Sequence, residues 1–361
     1  MLSFYVHIPY CIKRCGYCDF NTYAPNEVAK DSSFIDSLMA EGSFAARTQT
    51  SQVPTIFFGG GTPSLMSADE LGRVIGLIKQ RWELTADCEI TMEANPDSLN
   101  NIPSYREIGI NRLSIGMQSA DPNVLKVLDR THNPDNVEKV ITKARDAGFE
   151  NISVDLIYGV PGETLEQWES TVKIALGYGL NHLSAYSLIV EPNTKLANQI
   201  SRGEISKPDD DLAAEMYLAV DELATSKNLP WYELSNWGEP ARHNLVYWRN
   251  KNWWGLGPGA HSHLDGVRWW NVKHPNTYKA KLDSFESPML DREILTADQI
   301  RDETIMLQLR LREGLDLSKL PESKINVLDK FGDEIVIKEN RAVLTLKGRL
   351  LADRIVRELV L

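Results

Sequence analysis

Residues 3–21 read Ser-Phe-Tyr-Val-His-Ile-Pro-Tyr-Cys-Ile-Lys-Arg-Cys-Gly-Tyr-Cys-Asp-Phe-Asn. Phe4–Ile8 has the composition of a buried parallel strand, and Cys11, Cys15 and Cys18 follow it directly with the spacing C-x3-C-x2-C. A loop at a strand end can wrap three thiolates around one cubic cluster. A [4Fe-4S] cluster normally takes four thiolates, so three leave one iron open to an outside ligand. Zinc is the alternative, but a structural zinc site wants four ligands. No second cysteine pair exists, and the nearest histidine, His7, lies within the strand. Free thiols are the remaining alternative, against which stands the packing of three of the four cysteines into eight residues. Cys88, alone at the start of an apolar run, reads as a buried strand cysteine behaving as a small hydrophobe.

Outward from this stretch the pattern repeats. Strand-like runs at Thr55–Phe58, Glu89–Glu93, Arg112–Gly116, Ile152–Ile157 and His182–Ser187 alternate with helix-like segments. The helices are expected at Glu27–Arg47, Ala68–Arg81, Pro103–Glu107, Asn136–Ala147 and Leu165–Gly177, with Ser67 and Thr164 as N-caps. Six β/α units in series predict an α/β fold, a partial (β/α)6 TIM-like barrel with right-handed crossovers. Six rather than eight units leave a gap that another segment must close. Ligand groups in such folds collect at the C-terminal ends of the strands.

The pattern changes near residue 205. A helix at Asp209–Ser226 leads into a tract with seven tryptophans between Trp231 and Trp270. A third pattern begins near 295: helix Asp298–Leu311, segment Leu320–Phe331, β-like runs Glu334–Ile337 and Ala342–Leu346, and a last helix Gly348–Leu359. The expected division is therefore a barrel over 1–205, a Trp/Gly-rich extension closing it over 206–294, and a small helical, winged-helix-like module over 295–361. With no basic recognition face, that module is expected to pack or dock rather than read DNA. Hydrophobic content of 42% and charged content of 25% are those of an ordinary globular protein. A formal charge of −11 argues against broad binding to nucleic acid or anionic lipid. No spanning helix and no signal peptide are apparent, which makes cytoplasm the expected compartment.

Each strand end can be inspected for chemistry. Gly59-Gly60-Gly61-Thr62-Pro63 follows the second strand, where bare backbone can approach a ligand closely. It is not a phosphate loop, because no Gly-Lys-Ser/Thr follows; a structural turn is the alternative. Glu93 ends strand three, where a carboxylate suits a ribose hydroxyl or an ammonium group. Gln118 lies past strand four, Arg130 on the next connection and Asp155 within strand five. Singly each reads as a structural polar residue; together they converge on one mouth.

The C-x3-C-x2-C after the first strand of a six-unit barrel resembles the signature of radical S-adenosylmethionine proteins. Tyr5-Val-His-Ile-Pro9 and Cys18-Asp-Phe-Asn21 are similar to the branch holding oxygen-independent coproporphyrinogen III oxidase and the heme chaperones. The resemblance covers about residues 4–265. It implies that S-adenosylmethionine chelates the open iron, and that an electron from the cluster cleaves its sulfonium to a 5′-deoxyadenosyl radical. It implies that Gly60, Gly61 and Thr62 hold the methionine amino group, and that Glu93, Gln118, Arg130, Asp155, Tyr5 and Tyr17 complete the pocket. It also implies an electron donor of ferredoxin or flavodoxin type.

Within that branch three features point to the chaperones. Phe20 stands where the oxidase pattern carries a fourth cysteine, only ten residues precede Cys11, and His243-Asn-Leu-Val-Tyr-Trp248 matches H-N-x-x-Y-W. His243 and Tyr247 would share a helix face, and a neutral imidazole is a common axial heme ligand. A hydrogen-bonded core histidine is the other reading. His261 and His263, beside Gly255-Leu-Gly-Pro-Gly-Ala260, are further candidates, although that loop is expected to line the cofactor pocket. The resemblance implies a protein, monomer or dimer, that binds heme and passes it to respiratory hemoproteins, meeting the membrane peripherally through the recipient. The alternatives are decarboxylation of coproporphyrinogen III, or an iron–sulfur module without radical chemistry.

Overall fold

The computed structural model describes residues 1–48 and 51–360. Six strands, β1 (Ser3–Ile8), β2 (Gln52–Gly60), β3 (Glu83–Ala94), β4 (Arg112–Gln118), β5 (Asn151–Tyr158) and β6 (His182–Ser187), pair in parallel in chain order. The connections carry α1 (Phe34–Thr48), α2 (Ala68–Arg81), α3 (Ile102–Glu107), α4 (Pro122–Val127), α5 (Asp135–Asp146) and α6 (Leu165–Gly177). This is the expected partial barrel. The strands differ from the expectation in one respect: they alternate. Phe4, Val6, Ile8, Ile56, Phe58, Met92, Leu113, Ile115, Val154 and Leu156 are fully buried in the main apolar core with the helices. Tyr5, Glu93, Ser114 and Asp155, on the other face, are only half-buried. A two-residue period puts every second side chain on the opposite face. The inner face of this barrel therefore carries polar side chains at successive strands.

The helix starts follow local chemistry. Ser67 and Thr164 both form capping boxes, each accepting the N–H three residues on while Glu70 or Gln167 returns the bond. α1 begins later than expected, because Asp31 accepts both the N–H and the hydroxyl of Ser33 at 2.8 Å and holds the preceding segment in a turn. α4 was not expected; Asp121 caps it and Pro122 opens it.

The chain continues through α7 (Lys195–Ser201), α8 (Asp210–Ser226), β7 (Trp231–Glu233), β8 (Asn236–Gly238) and α9 (Arg242–Trp248). Then come β9 (Trp253–Leu256), β10 (His261–Leu264), β11 (Val267–Asn271), α10 (Pro275–Asp283) and β12 (Met289–Ile294). These strands extend the barrel sheet at both edges, giving the order β12-β11-β10-β9-β1-β2-β3-β4-β5-β6-β8-β7. The tryptophan-rich tract lengthens the sheet, which remains open.

Beyond α11 (Ala297–Gln308) lie β13 (Leu315–Asp316), α12 (Glu322–Ile325), β14 (Ile335–Lys338), β15 (Arg341–Leu344), α13 (Leu346–Leu350) and α14 (Ala352–Val360). They form a three-stranded sheet, β13-β15-β14, over an apolar core of their own that includes Ile305, Leu309, Phe331, Leu344 and Ile355. The segment Leu320–Phe331 holds the single turn of α12 and the start of a 3-10 stretch. This part is fastened to α8 by Arg349, whose Nη1 and Nη2 donate to Asp221 at 2.7 Å each. No helix of the described residues is long and apolar enough to cross a membrane.

Candidate metal and cofactor centre

The loop after β1 is closed at its base: Tyr23 N–H donates to Pro9 O at 2.7 Å and Cys11 N–H to Tyr23 O at 3.0 Å. The three cysteines lie on the excursion between, half-buried, with free thiols. Gly16 clamps it from outside, donating to Leu128 O at 3.3 Å and accepting from Leu196 N–H at 2.8 Å. Burial raises the Cys11 and Cys18 thiols. Donors meet two of the sulfurs: Thr62 Oγ1 lies 3.6 Å from Cys11 Sγ, and Arg130 Nη1 donates to Cys15 Sγ at 3.4 Å. Arg130 Nε is buried without a partner. Hydrogen-bond donors and a fixed cation beside thiolates fit the anionic sulfur shell of an iron–sulfur cluster. Among the described residues no three His, Cys, Asp or Glu groups converge on a single-ion point. A cubic cluster does not require that, since each thiolate takes its own iron.

The glycine run at the end of β2 brings three elements together. Gly60 has φ +107°, and a Cβ there would lie 2.5 Å from the His7 ring. A Cβ on Gly61 would lie 2.6 Å from Tyr10 O. Gly61 N–H donates to Ile8 O at 2.7 Å, Thr62 N–H to Tyr10 O at 2.8 Å and Gly60 N–H to Glu93 Oε2 at 3.1 Å. The amides are thus committed internally, and an ammonium group here would need oxygen acceptors such as the Glu93 carboxylate.

Glu93 is pushed up to about 8 by burial and then by Asp155. Asp155 is raised by burial, while both its oxygens accept the Ser114 hydroxyl, at 3.0 and 2.9 Å. Two carboxyl groups held this way favour a bound cation. The β4–β5 register shifts between Gly116 and Gln118, and Gln118 takes φ +63°. Gly116 makes the room: a Cβ there would meet Gln118 Nε2 at 2.9 Å and Arg130 Nη2 at 3.1 Å. Gly60 thus meets Glu93, and Arg130 meets Cys15 while Gly116 leaves room for Gln118 beside it.

Sequence reasoning missed His7, Gly116 and Glu41. His7 Nε2 donates to Asn21 O at 2.8 Å, so its Nδ1 accepts from Tyr5 O–H at 2.9 Å. Burial holds the ring down to about 4, hence neutral. This relay joins the pocket to the cysteine loop's return arm. Glu41, on α1, accepts from Gly257 N–H at 2.8 Å, Tyr278 O–H at 2.5 Å and Asn271 Nδ2 at 2.7 Å. It anchors the Gly255–Ala260 loop, whose Pro258 O accepts Asn21 Nδ2 at 3.0 Å. A glycine inside a β-rich run was the one available signal for Gly116.

His243 stands in the first turn of α9. Glu89 on β3 accepts Arg242 N–H at 3.0 Å and His243 N–H at 2.9 Å, fixing the start of α9. The ring is 1% exposed. Thr55 Oγ1 donates to Ser3, so His243 Nδ1 donates to Thr55 at 2.7 Å and Nε2 accepts from Tyr247 O–H at 2.9 Å. Both ring nitrogens are hydrogen-bonded in this structure.

The radical SAM superfamily profile matches residues 5–175. The heme chaperone HemW of Mycobacterium tuberculosis is 42% identical over 373 residues, covering 99% of this chain and 94% of that protein. HemW of Bacillus subtilis is 33% identical, covering 98% of each, and HemW of Escherichia coli is 35% identical over 77% of this chain and 75% of its own. Among solved structures, E. coli coproporphyrinogen III oxidase (HemN), a radical SAM enzyme, superposes with TM-score 0.85 over 99% of this chain and 89% of its own. At 23% identity that likeness speaks for the fold alone. The open six-unit barrel, the three-cysteine loop at its mouth and relatives matched from end to end agree: this chain belongs to the HemW family of the radical SAM superfamily.

Proposed function

We propose that this chain is a heme chaperone that binds heme, a [4Fe-4S] cluster and S-adenosylmethionine and delivers heme to respiratory hemoproteins. The observation that carries the reading is the near-full-length match to proteins named heme chaperone, at up to 42% identity. Phe20 in the place of a fourth cysteine supports it against the oxidase reading. Family membership implies the cluster and S-adenosylmethionine; Cys11, Cys15 and Cys18 would hold the one, and Glu93, Gln118, Arg130, Asp155, Tyr5, Tyr17 and the Gly60–Thr62 turn the other. Bound there, the pair supplies one-electron chemistry at an iron with an open position. The protein's share is placement. Arg130 sets a positive charge against Cys15, Glu93 and Asp155 offer carboxyl oxygens that a cationic ligand would hold ionised, and the Tyr5–His7–Asn21 relay couples pocket and loop. A ferredoxin or flavodoxin would supply the electron, with 1–205, 206–294 and 295–361 as the barrel, its extension and a docked module.

Hemin titration of the anaerobically reconstituted protein, followed by coproporphyrinogen III on the same sample, tests this. Stoichiometric hemin binding without decarboxylated product is expected. Protoporphyrinogen formation without tight hemin binding would make the chain an oxidase instead.

A further inference from the structure

We infer that Thr22 tunes the cluster's reduction potential: its buried hydroxyl donates a hydrogen bond to the sulfur shell of the cluster held by Cys11, Cys15 and Cys18. The inference rests on the cluster reading above and adds a residue to it.

Thr22 is 3% exposed, and its Oγ1 is buried without a hydrogen-bond partner. A hydroxyl taken out of water and left unpaired destabilises a fold, whereas an apolar group of the same shape does not. Native structures keep few such groups, and those they keep call for an explanation, a bound group or a redox role among them. Among the described residues three threonines have a bare buried hydroxyl, Thr22, Thr85 and Thr91, and only Thr22 lies on the cysteine loop.

Its neighbours there are sulfurs. Burial raises the Cys11 and Cys18 thiols, and the Thr22 hydroxyl acts on both in the opposite sense. One hydroxyl thus stands beside two of the three sulfurs with a formed bond to neither. A thiol sulfur is a weak acceptor. The sulfurs of a cluster carry negative charge, and a hydrogen bond to an ionised group is the stronger kind.

The hydroxyl is also held in place. Thr22 N–H donates to Phe20 O at 2.7 Å, and Tyr23 N–H, next in the chain, donates to Pro9 O at 2.7 Å. On the other side Asn21 Nδ2 donates to Pro258 O at 3.0 Å and to Lys273 O at 2.9 Å. Both flanking residues are therefore tied down, one to the exit of β1 and one to the sheet extension. The donors then divide among the sulfurs. Thr62 serves Cys11 at 3.6 Å, Arg130 serves Cys15 at 3.4 Å, and Thr22 approaches Cys11 and Cys18 from the return arm. Hydrogen bonds to the sulfurs help to set a cluster's reduction potential. A donor favours the reduced form most, because that form carries the extra negative charge, so Thr22 raises the potential.

Anaerobic EPR redox titration of the reconstituted full chain tests this, with iron content measured on each sample. Thr22→Val removes the hydroxyl at nearly constant shape. It should lower the midpoint potential by up to about 59 mV, a tenfold change in a one-electron equilibrium, with iron content at the wild-type level. Thr22→Ser keeps the hydroxyl and should keep the wild-type potential, a distinction that a purely structural role would not make. Should Thr22→Val take up too little iron, Thr22→Ala carries the same expectation. A potential unchanged or raised without the hydroxyl, or lowered equally in Thr22→Ser, would overturn the inference. Wild-type protein that forms no [4Fe-4S] cluster would instead overturn the cluster reading on which it rests.

Discussion

Arg130 joins two strands' worth of chemistry: Nη1 donates to Cys15 Sγ at 3.4 Å while Nη2 donates to Gly116 O at 2.8 Å. The guanidinium thus ties the cysteine loop to the bulged end of β4. A cation and a donor beside a thiolate stabilise the reduced, more negative cluster. Arg130→Leu is expected to lower the cluster's reduction potential with little change in bound iron. An anaerobic EPR redox titration reads this; a potential unchanged or higher contradicts it.

Gly116→Ala puts a methyl group 2.9 Å from Gln118 Nε2 and 3.1 Å from Arg130 Nη2. Both side chains must shift. S-adenosylmethionine binding by calorimetry should weaken at least several-fold while iron content stays near four per chain, on the order of what a misplaced second shell costs. Unaltered affinity would remove Gln118 and Arg130 from the pocket.

Glu93 gives a pH dependence with a definite sign. Its folded value, about 8, lies above its ordinary 4.5. Its contribution to stability is therefore full below about 4.5 and is lost as pH rises through about 8. A cationic sulfonium ligand reverses the preference for the protonated form. Affinity for S-adenosylmethionine should rise between about pH 6 and 9, and Glu93→Gln should flatten the rise. Equal slopes in the two proteins would place the titrating group elsewhere.

Arg349 is buried against Asp221 and lies 4.4 Å from the centre of the Trp231 ring. Trp237 Nε1 also donates to Asp221, at 2.8 Å. Removing one partner strands a buried charge. Arg349→Ala should cost about 3–5 kcal/mol in urea unfolding, and Arg349→Ala with Asp221→Asn less than Arg349→Ala alone. Losses that simply add would show that the pair is not coupled.

The legible parts of the fold were those set by local chemistry. Ser67 and Thr164 announced their helices because capping is a four-residue event, and the cysteine spacing announced the loop. The polar lumen was less visible: in a run such as Val154-Asp155-Leu156 the lone carboxylate reads as an interruption until pairing assigns each residue a face. Tertiary neighbours decided the rest. Nothing near His7 in the chain reveals that Asn21 and Tyr5 bracket its ring, and Glu41 looks like one more surface carboxylate on a helix. The motif around His243 was visible, but its partner Thr55, and Ser3 behind that, come from β2 and β1, far away in the chain. No local spacing announces that pairing.

The central claim is that Cys11, Cys15 and Cys18 hold a cluster with one iron open to S-adenosylmethionine. EPR of the reduced, reconstituted protein with and without S-adenosylmethionine tests it most directly. The account predicts a [4Fe-4S] signal that changes shape when S-adenosylmethionine is added and that disappears in Cys15→Ala. A signal indifferent to S-adenosylmethionine, or one that survives loss of Cys15, would contradict it.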